Sequence, residues 1–123
     1  MDRSVQAVKL KHSGLNCAQA VLVAFADELP LDEDTLKKLG AGFGCGMGAF
    51  DASCGALCAA QMIMGLRCYS GRPVLSTAKA LHSAFKNACG STDCGELKGL
   101  KGGAMLTECD DCVRAAVKLL EQL

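Results

Sequence analysis

The chain has no tryptophan, one tyrosine, four phenylalanines and only two prolines in 123 residues. Half of it is hydrophobic but only 4% is aromatic, so any core must be built from Ala, Leu, Val, Met and Cys. An excess of charge of either sign is also missing: 13 Lys and Arg balance 13 Asp and Glu. That argues against a nucleic-acid binder, which shows a basic stripe or excess, and against a polybasic membrane-surface patch. Long apolar runs are absent too. The longest, from Ala52 to Leu66, is interrupted by Ser53 and Gln61 and falls short of the ~20 residues that span a bilayer. No basic segment followed by an apolar one opens the chain, so no secretory signal is expected. The length suits one domain spanning residues 1–123.

What the sequence has in quantity is cysteine: nine residues, just under the about 8–10% that marks disulfide scaffolds. Without a secretory signal the chain reads as soluble and cytoplasmic. In that compartment clustered cysteines are metal-binding or redox-active more often than a static disulfide framework. An odd number also leaves at least one thiol unpaired within the chain.

No strand-like alternation, repeat or linker occurs, and Ala and Leu are abundant, so an all-α bundle of five or six short helices is expected. The first covers residues 3–13, with Val5 and Val8 on one side, and stops at Gly14. Asn16 caps a second, from Cys17 to about Leu29, closed by Pro30. Asp32 caps a third, to about Leu39. The segment Gly40-Ala41-Gly42-Phe43-Gly44-Cys45-Gly46-Met47-Gly48 follows. Each glycine costs a helix about 1 kcal/mol against alanine. The segment lacks the Gly-Lys-Ser/Thr ending of a Walker loop and the preceding strand of a dinucleotide fingerprint. It reads as a connector where backbone passes close to another helix or a cofactor. Ser53 is the expected cap of a fourth helix, from Cys54 to about Tyr69. That helix is apolar almost all round, hence central. A fifth runs from Pro73 to about Cys89, a short turn from Ser91 to Leu97, and a last helix starts at a capping-box-like Thr107-Glu108-Cys109-Asp110. On the last helix Cys109, Val113, Ala116, Leu120 and Leu123 should face the core, and Asp110, Asp111, Arg114, Lys118 and Glu121 should face water.

Four cysteines fall at expected helix starts: Cys17, Cys54, Cys94 and Cys109. Unsatisfied N–H groups and the helix dipole stabilise a thiolate there, which makes the sulfur both a nucleophile and a metal ligand. Cys68 and Cys89 read as core, since free cysteine often packs as a small hydrophobe. Cys109 and Cys112 form a CxxC suited to exchange or metal binding, but without a thioredoxin-like strand before it. The CxxCH of covalent haem c is missing, as is a paired CxxC zinc pattern. Cys54 and Cys58 lie one helical turn apart on a stripe with Gln61, Gly65 and Cys68. His12 and His82 are the only histidines. His82, in register with Phe85 and Cys89, reads as a core histidine, so a triad hydrolase is unsupported.

These residues carry a resemblance. Asn16-Cys17-Ala18-Gln19-Ala20-Val21-Leu22, Gly42-Phe43-Gly44-Cys45-Gly46-Met47-Gly48, Cys54-Gly55-Ala56-Leu57-Cys58-Ala59, Cys94-Gly95-Glu96-Leu97 and Cys109 with Val113 resemble the C_GCAxxG_C_C family of redox-active proteins over nearly the whole chain. The four cysteines of that name fall on Cys17, Cys54, Cys94 and Cys109. The chain departs from the family pattern at Ala59, where the family has glycine, at Cys45, usually glycine, and at Cys58, usually a small hydroxyl residue. The resemblance implies a small, mostly helical redox protein of the kind associated with oxidoreductase or transport systems in anaerobic prokaryotes. It names no substrate.

The leading expectation is thiol–disulfide chemistry, with Cys54 first and Cys17 second as nucleophile and a further thiol as resolver. It would act on a redox partner protein or a small oxidant or reductant. The alternatives are an iron–sulfur cluster on Cys17, Cys54, Cys94 and Cys109, and a structural zinc on the same four. Cys45, Cys58 and Cys112 are the accessory sulfurs in each version. An interaction module is the remaining reading, a homodimer through Met62, Met64 and Leu66.

Overall fold

A computed structural model describes residues 2–123. The chain is all-α: α1 Arg3–His12, α2 Cys17–Ala24, a 3-10 turn Ala26–Glu28, α3 Glu33–Gly40, α4 Gly55–Cys68, α5 Leu75–Cys89, the single turn α6 Cys94–Leu97, and α7 Cys109–Glu121. One hydrophobic core gathers α1, α2, α4, α5 and α7. Seven of the eight α2 residues are buried, so α2 shares the centre with α4, which packs against α2, α5 and α7. Among the described residues no helix is long and apolar enough to cross a membrane.

The departures from the expected elements have local causes. The second helix stops at Ala24, five residues early. There Arg3 donates to the Ala24 carbonyl at 2.6 Å, which supplies one of the partners a helix end lacks. The next residue, Phe25, is fully buried, with the Arg3 and Arg67 guanidinium groups 4.7 and 5.2 Å from its ring centroid. Arg3 also pairs with Asp27 and Arg67 with Glu28. In α1 the buried residues are Ser4 and Ala7, while Val5 is exposed.

Ser53 does not cap α4; Cys54 itself is the N-cap residue. Ser53 is engaged in an isolated antiparallel bridge to Asp93. The Cys54 N–H donates to Thr92 O and the Cys94 N–H to Ala52 O, both at 2.8 Å. Asp93 then caps α6, accepting from the Glu96 N–H at 2.9 Å. Thr107 likewise does not cap α7. Its hydroxyl donates to the Cys89 carbonyl at 2.7 Å, and Glu108 takes the cap position. On α7 the buried stripe is Cys112, Val113, Ala116, Val117 and Leu120. Leu123 lies past the helix end and is exposed. Asp110 is tied down by Lys11 at 2.8 Å and His12 at 2.7 Å.

Three further expectations are corrected. His82 sits on the exposed face of α5, so it is not a core histidine. Cys68 is exposed at the end of α4. Met64 is in the core, 3% exposed, whereas Leu66 is open to solvent; the two do not share a surface. Cys89 is buried, as expected.

The glycine-rich connector has an unusual path. Cys45, Gly46, Met47 and Gly48 all have positive φ, between 56° and 80°, and form a left-handed turn. For a non-glycine residue that conformation costs roughly 1–2 kcal/mol, so Cys45 and Met47 are held there by their surroundings. At Gly46 a Cβ would stand 2.6 Å from the Cys94 Cβ. Only glycine lets this turn lie against α6.

Candidate functional site

Four separate chain segments bring cysteines to one place. Cys17 is the first residue of α2. It is placed by a complete capping box in which the Asn16 side chain accepts from the Gln19 N–H at 2.8 Å and Gln19 Oε1 accepts from the Asn16 N–H at 2.9 Å. Asn16 Nδ2 also donates to Gly40 O and Ala41 O, and Gln19 Nε2 to Lys37 O at 2.8 Å. The start of α2 is thus fixed against the end of α3, from which the glycine-rich turn departs. The bridge between Ser53 and Asp93 sets Cys54 beside Cys94. Contact between Lys11, at the end of α1, and Asp110 holds the start of α7 over this region.

The result is a cavity of about 200 Å³ lined by Cys17, Cys45, Cys54, Cys94, Cys109 and Cys112, with Lys11, Asn16 and Lys98 among the polar groups. All four cysteines of the expected signature line it. Of the expected accessories, Cys45 and Cys112 line it too. Cys58 does not; its thiol points toward the Ser53 carbonyl at 4.0 Å, and burial pushes its pKa up. Gly55 permits the closeness, since a Cβ there would lie 2.5 Å from the Phe43 carbonyl and 2.7 Å from Cys17 Sγ.

Within the cavity the thiols set one another's protonation. Cys17 accepts hydrogen bonds from the Cys109 thiol, the Cys54 thiol and the backbone N–H groups of Cys45 and Ala18, and these hold its pKa down at about 2. A thiolate ringed by donors is favoured over its neutral form. The left-handed turn contributes directly here, because it aims the Cys45 N–H at Cys17. Cys54 accepts from Cys112, which lowers it. Its own donation to Cys17, burial and the Cys17 charge outweigh that and push it up to about 12. Donation to Cys17, then burial, raises Cys109 well above the usual thiol range. Cys94 is raised by burial, against the pull of Lys98.

Cys112 stands between Cys54 and Cys89. Contacts to both, with burial, raise it far above an ordinary thiol, while Cys89 is lowered as the acceptor of the Cys112 thiol. The two cysteines of the CxxC answer to different neighbours: Cys109 is raised first by Cys17, and Cys112 first by Cys54 and then by Cys89. Cys89 lies in the core at the end of α5, where Thr107 holds its carbonyl. The cavity-lining residues that the sequence did not single out are Lys11 and Lys98.

Of the four helix-start cysteines, only Cys17 has a lowered pKa. Once one sulfur carries the charge, its neighbours gain more by donating protons to it than by ionising. Among the described residues no group of three or more His, Cys, Asp or Glu side chains is arranged to hold a metal ion.

Comparison with known proteins agrees with the resemblance. A family model described as "Putative redox-active protein (C_GCAxxG_C_C)" matches residues 15–123. Among curated proteins and among solved structures nothing matches. The chain belongs to the C_GCAxxG_C_C family.

Proposed function

We propose that this member of the C_GCAxxG_C_C family is a thiol–disulfide redox protein whose attacking sulfur is Cys17. The observation that carries the reading is the cavity that gathers Cys17, Cys54 and Cys109, in which Cys17 is the one sulfur of the three whose pKa is held low. A thiolate flanked by protonated thiols holds both halves of an exchange reaction: a nucleophile, and a resolver already in contact. This reverses the order expected from sequence, in which Cys54 came first.

The chemistry follows. Cys17 S⁻ attacks one sulfur of a small disulfide, forms a mixed disulfide, and expels the other half as a thiolate. Cys109, the more solvent-exposed of its two neighbours, then loses its proton and attacks Cys17 Sγ. The second half leaves as a thiol and a Cys17–Cys109 disulfide remains. Two electrons pass from the protein to the substrate. Cys17 is only 5% exposed, so the substrate is a small molecule or the tip of an extended segment, not a flat protein surface. Lys11 and Lys98 favour one bearing negative charge, although Lys11 also serves Asp110.

The test is an anaerobic purification followed by oxidation with hydroxyethyl disulfide. In Cys54→Ser with Cys109→Ser, which removes both neighbouring thiols, Cys17 should trap the mixed disulfide, identified by peptide mass spectrometry under non-reducing conditions. A trapped adduct on Cys94 or Cys112 in its place would overturn the assignment. Iron with labile sulfide in the purified protein would overturn the thiol reading in favour of the cluster.

A further inference from the structure

We infer that Lys98, held in place by the Phe50 ring, is the anion anchor of the cavity, and that the small disulfide taken there carries a carboxylate for it. The inference rests on the reading of Cys17 as the entry thiol and names the substrate class of that site.

Four polar side chains line the cavity beside the thiols: Lys11, Asn16, Lys98 and Thr107. Three of them are committed to the protein itself. Lys11 donates to Asp110 at 2.8 Å. Asn16 gives its amide protons to Gly40 O and Ala41 O, and its oxygen accepts from the Gln19 N–H. The Thr107 hydroxyl donates to the Cys89 carbonyl at 2.7 Å. Lys98 differs. Among the described residues its ammonium joins no ion pair. It lies 5.0 Å from the centroid of the Phe50 ring. A ring face at that range attracts the cation but leaves its three N–H donors open to a hydrogen-bonding anion.

The fold holds this cation deliberately in position. The Lys98 N–H donates to Cys94 O at 3.0 Å, which fixes the residue one turn beyond a cavity cysteine. Phe50 has a φ of 59°, a left-handed conformation that non-glycine residues rarely adopt. It is also 40% exposed, so burial of the ring does not account for its place. Its carbonyl lies against Gly95, where any Cβ would clash with it. The turn that borders the cavity at Cys45 thus ends, at Phe50, on α6 and beside Lys98.

A half-buried ammonium beside thiols and apolar groups is costly to leave unpaired. An entering carboxylate supplies the missing acceptor, whereas a hydroxyl gains less and a second ammonium is repelled. The cavity holds about 200 Å³, so the sulfur under attack and the anion belong to one small molecule, a few bonds apart. Lys98 is in this sense a specificity-determining residue, and Phe50 a positioning residue that acts through it.

The experiment uses the full chain, reduced and kept anaerobic, with three disulfides of similar size: dithiodipropionate (anionic), hydroxyethyl disulfide (neutral) and cystamine (cationic). Loss of free Cys17 is followed by quenched alkylation and peptide mass spectrometry. Each rate is divided by that of free N-acetylcysteine with the same disulfide, which removes differences in intrinsic reactivity. The wild-type chain should prefer the anionic to the neutral disulfide about three- to tenfold, the range of one partly exposed ion pair, and should take cystamine most slowly. Lys98→Met should lose that preference and Lys98→Arg should keep it. Phe50→Leu should reduce it. Lys79→Met removes the same charge from the exposed side of α5, outside the cavity, and should keep it. Thermal melts establish that each variant is folded. No charge preference in the wild-type chain would refute the anchor with no variant needed. So would Lys98→Met slowing all three disulfides by one factor, since Lys98 would then tune the thiols and not select the substrate. In both cases Cys17 still reacts and the entry reading stands. Should none of the three disulfides consume Cys17, the entry reading falls and the anchor with it.

Discussion

The low pKa of Cys17 is set by donors that can be removed one at a time. It accepts from two thiols and two backbone N–H groups. A hydrogen bond to a charged group is worth about 1.5–3 kcal/mol, and one pKa unit corresponds to 1.36 kcal/mol. Loss of one thiol donor should therefore raise Cys17 by about one to two units. From about 2, Cys109→Ala should bring the midpoint to roughly 3–4, and Cys54→Ala with Cys109→Ala to roughly 4–6. Cys109→Ser keeps an O–H donor in place and should leave Cys17 low. The assay is the rate of Cys17 alkylation by iodoacetamide against pH, read on the Cys17 peptide, alongside thiolate absorbance. Because the folded pKa is depressed, the wild-type rate should be flat from about pH 4 to pH 8, where an ordinary thiol gains tenfold per unit. With a midpoint between about 4 and 6, the double alanine variant should run about twofold to a hundredfold slower at pH 4, and Cys54→Ser with Cys109→Ser should stay near the wild-type rate. A wild-type rate that climbs tenfold per unit between pH 5 and 8 would refute the reasoning. So would identical profiles around pH 4 for the double alanine and the double serine variants, since packing and not hydrogen bonding would then be at work.

Three further outcomes are expected. Gly55→Ala should destabilise the fold and slow Cys17 alkylation, because its Cβ meets the Phe43 carbonyl and Cys17 Sγ. Gly65→Ala on the same helix meets nothing within 4 Å and should stabilise by up to about 1 kcal/mol, so thermal melts of the pair should move in opposite directions. Asp110 has a carboxyl pKa lowered first by Lys11 and then by His12. Its contribution to stability is present above the ordinary carboxyl value near 3.8 and is lost as pH falls through the lower folded value. Asp110→Asn should thus cost stability at pH 7 and progressively less as the pH falls below 3.8, measured by urea denaturation at pH 7 and at pH 2. Equal cost at the two pH values would show that the ion pair is not the cause. Cys68→Ser should change stability by less than about 0.5 kcal/mol and leave the Cys17 alkylation profile unchanged, since Cys68 is exposed and outside the cavity.

The all-α class and the positions of α1, α3 and α7 were legible because each rests on local signals: Asp32 caps as its chemistry demands, and α7 carries a strong apolar stripe. The misread boundaries share a different cause. Ser53 and Thr107 look like caps to any local rule, but each is claimed by a distant partner, Asp93 and the Cys89 carbonyl respectively. Those two long-range contacts are also what assemble the site. One sets Cys54 beside Cys94, and the other ties the end of α5 to the start of α7. Local rules failed at the places where the fold brings sulfurs together from far apart in sequence.

The same contrast explains why helix position found the right four cysteines for an incomplete reason. The dipole and free N–H groups at a helix start act on each sulfur separately, and four separate sulfurs would give four activated thiols. Contact changes that count. Cys17, Cys54 and Cys109 share what amounts to one negative charge, and Cys17 takes it because it alone collects donors from both flanking thiols and from the left-handed turn. The strain in that turn then has a physical use. Straightening Cys45 into an ordinary conformation would remove the N–H from Cys17 and leave a buried thiolate with one donor fewer. By the same reckoning, about one to two units, the cost of the strained backbone and the gain in thiolate stability are of the same size. The two are therefore expected to be coupled: oxidation of Cys17, which removes its charge, also removes the electrostatic reason for Cys45 to stay left-handed.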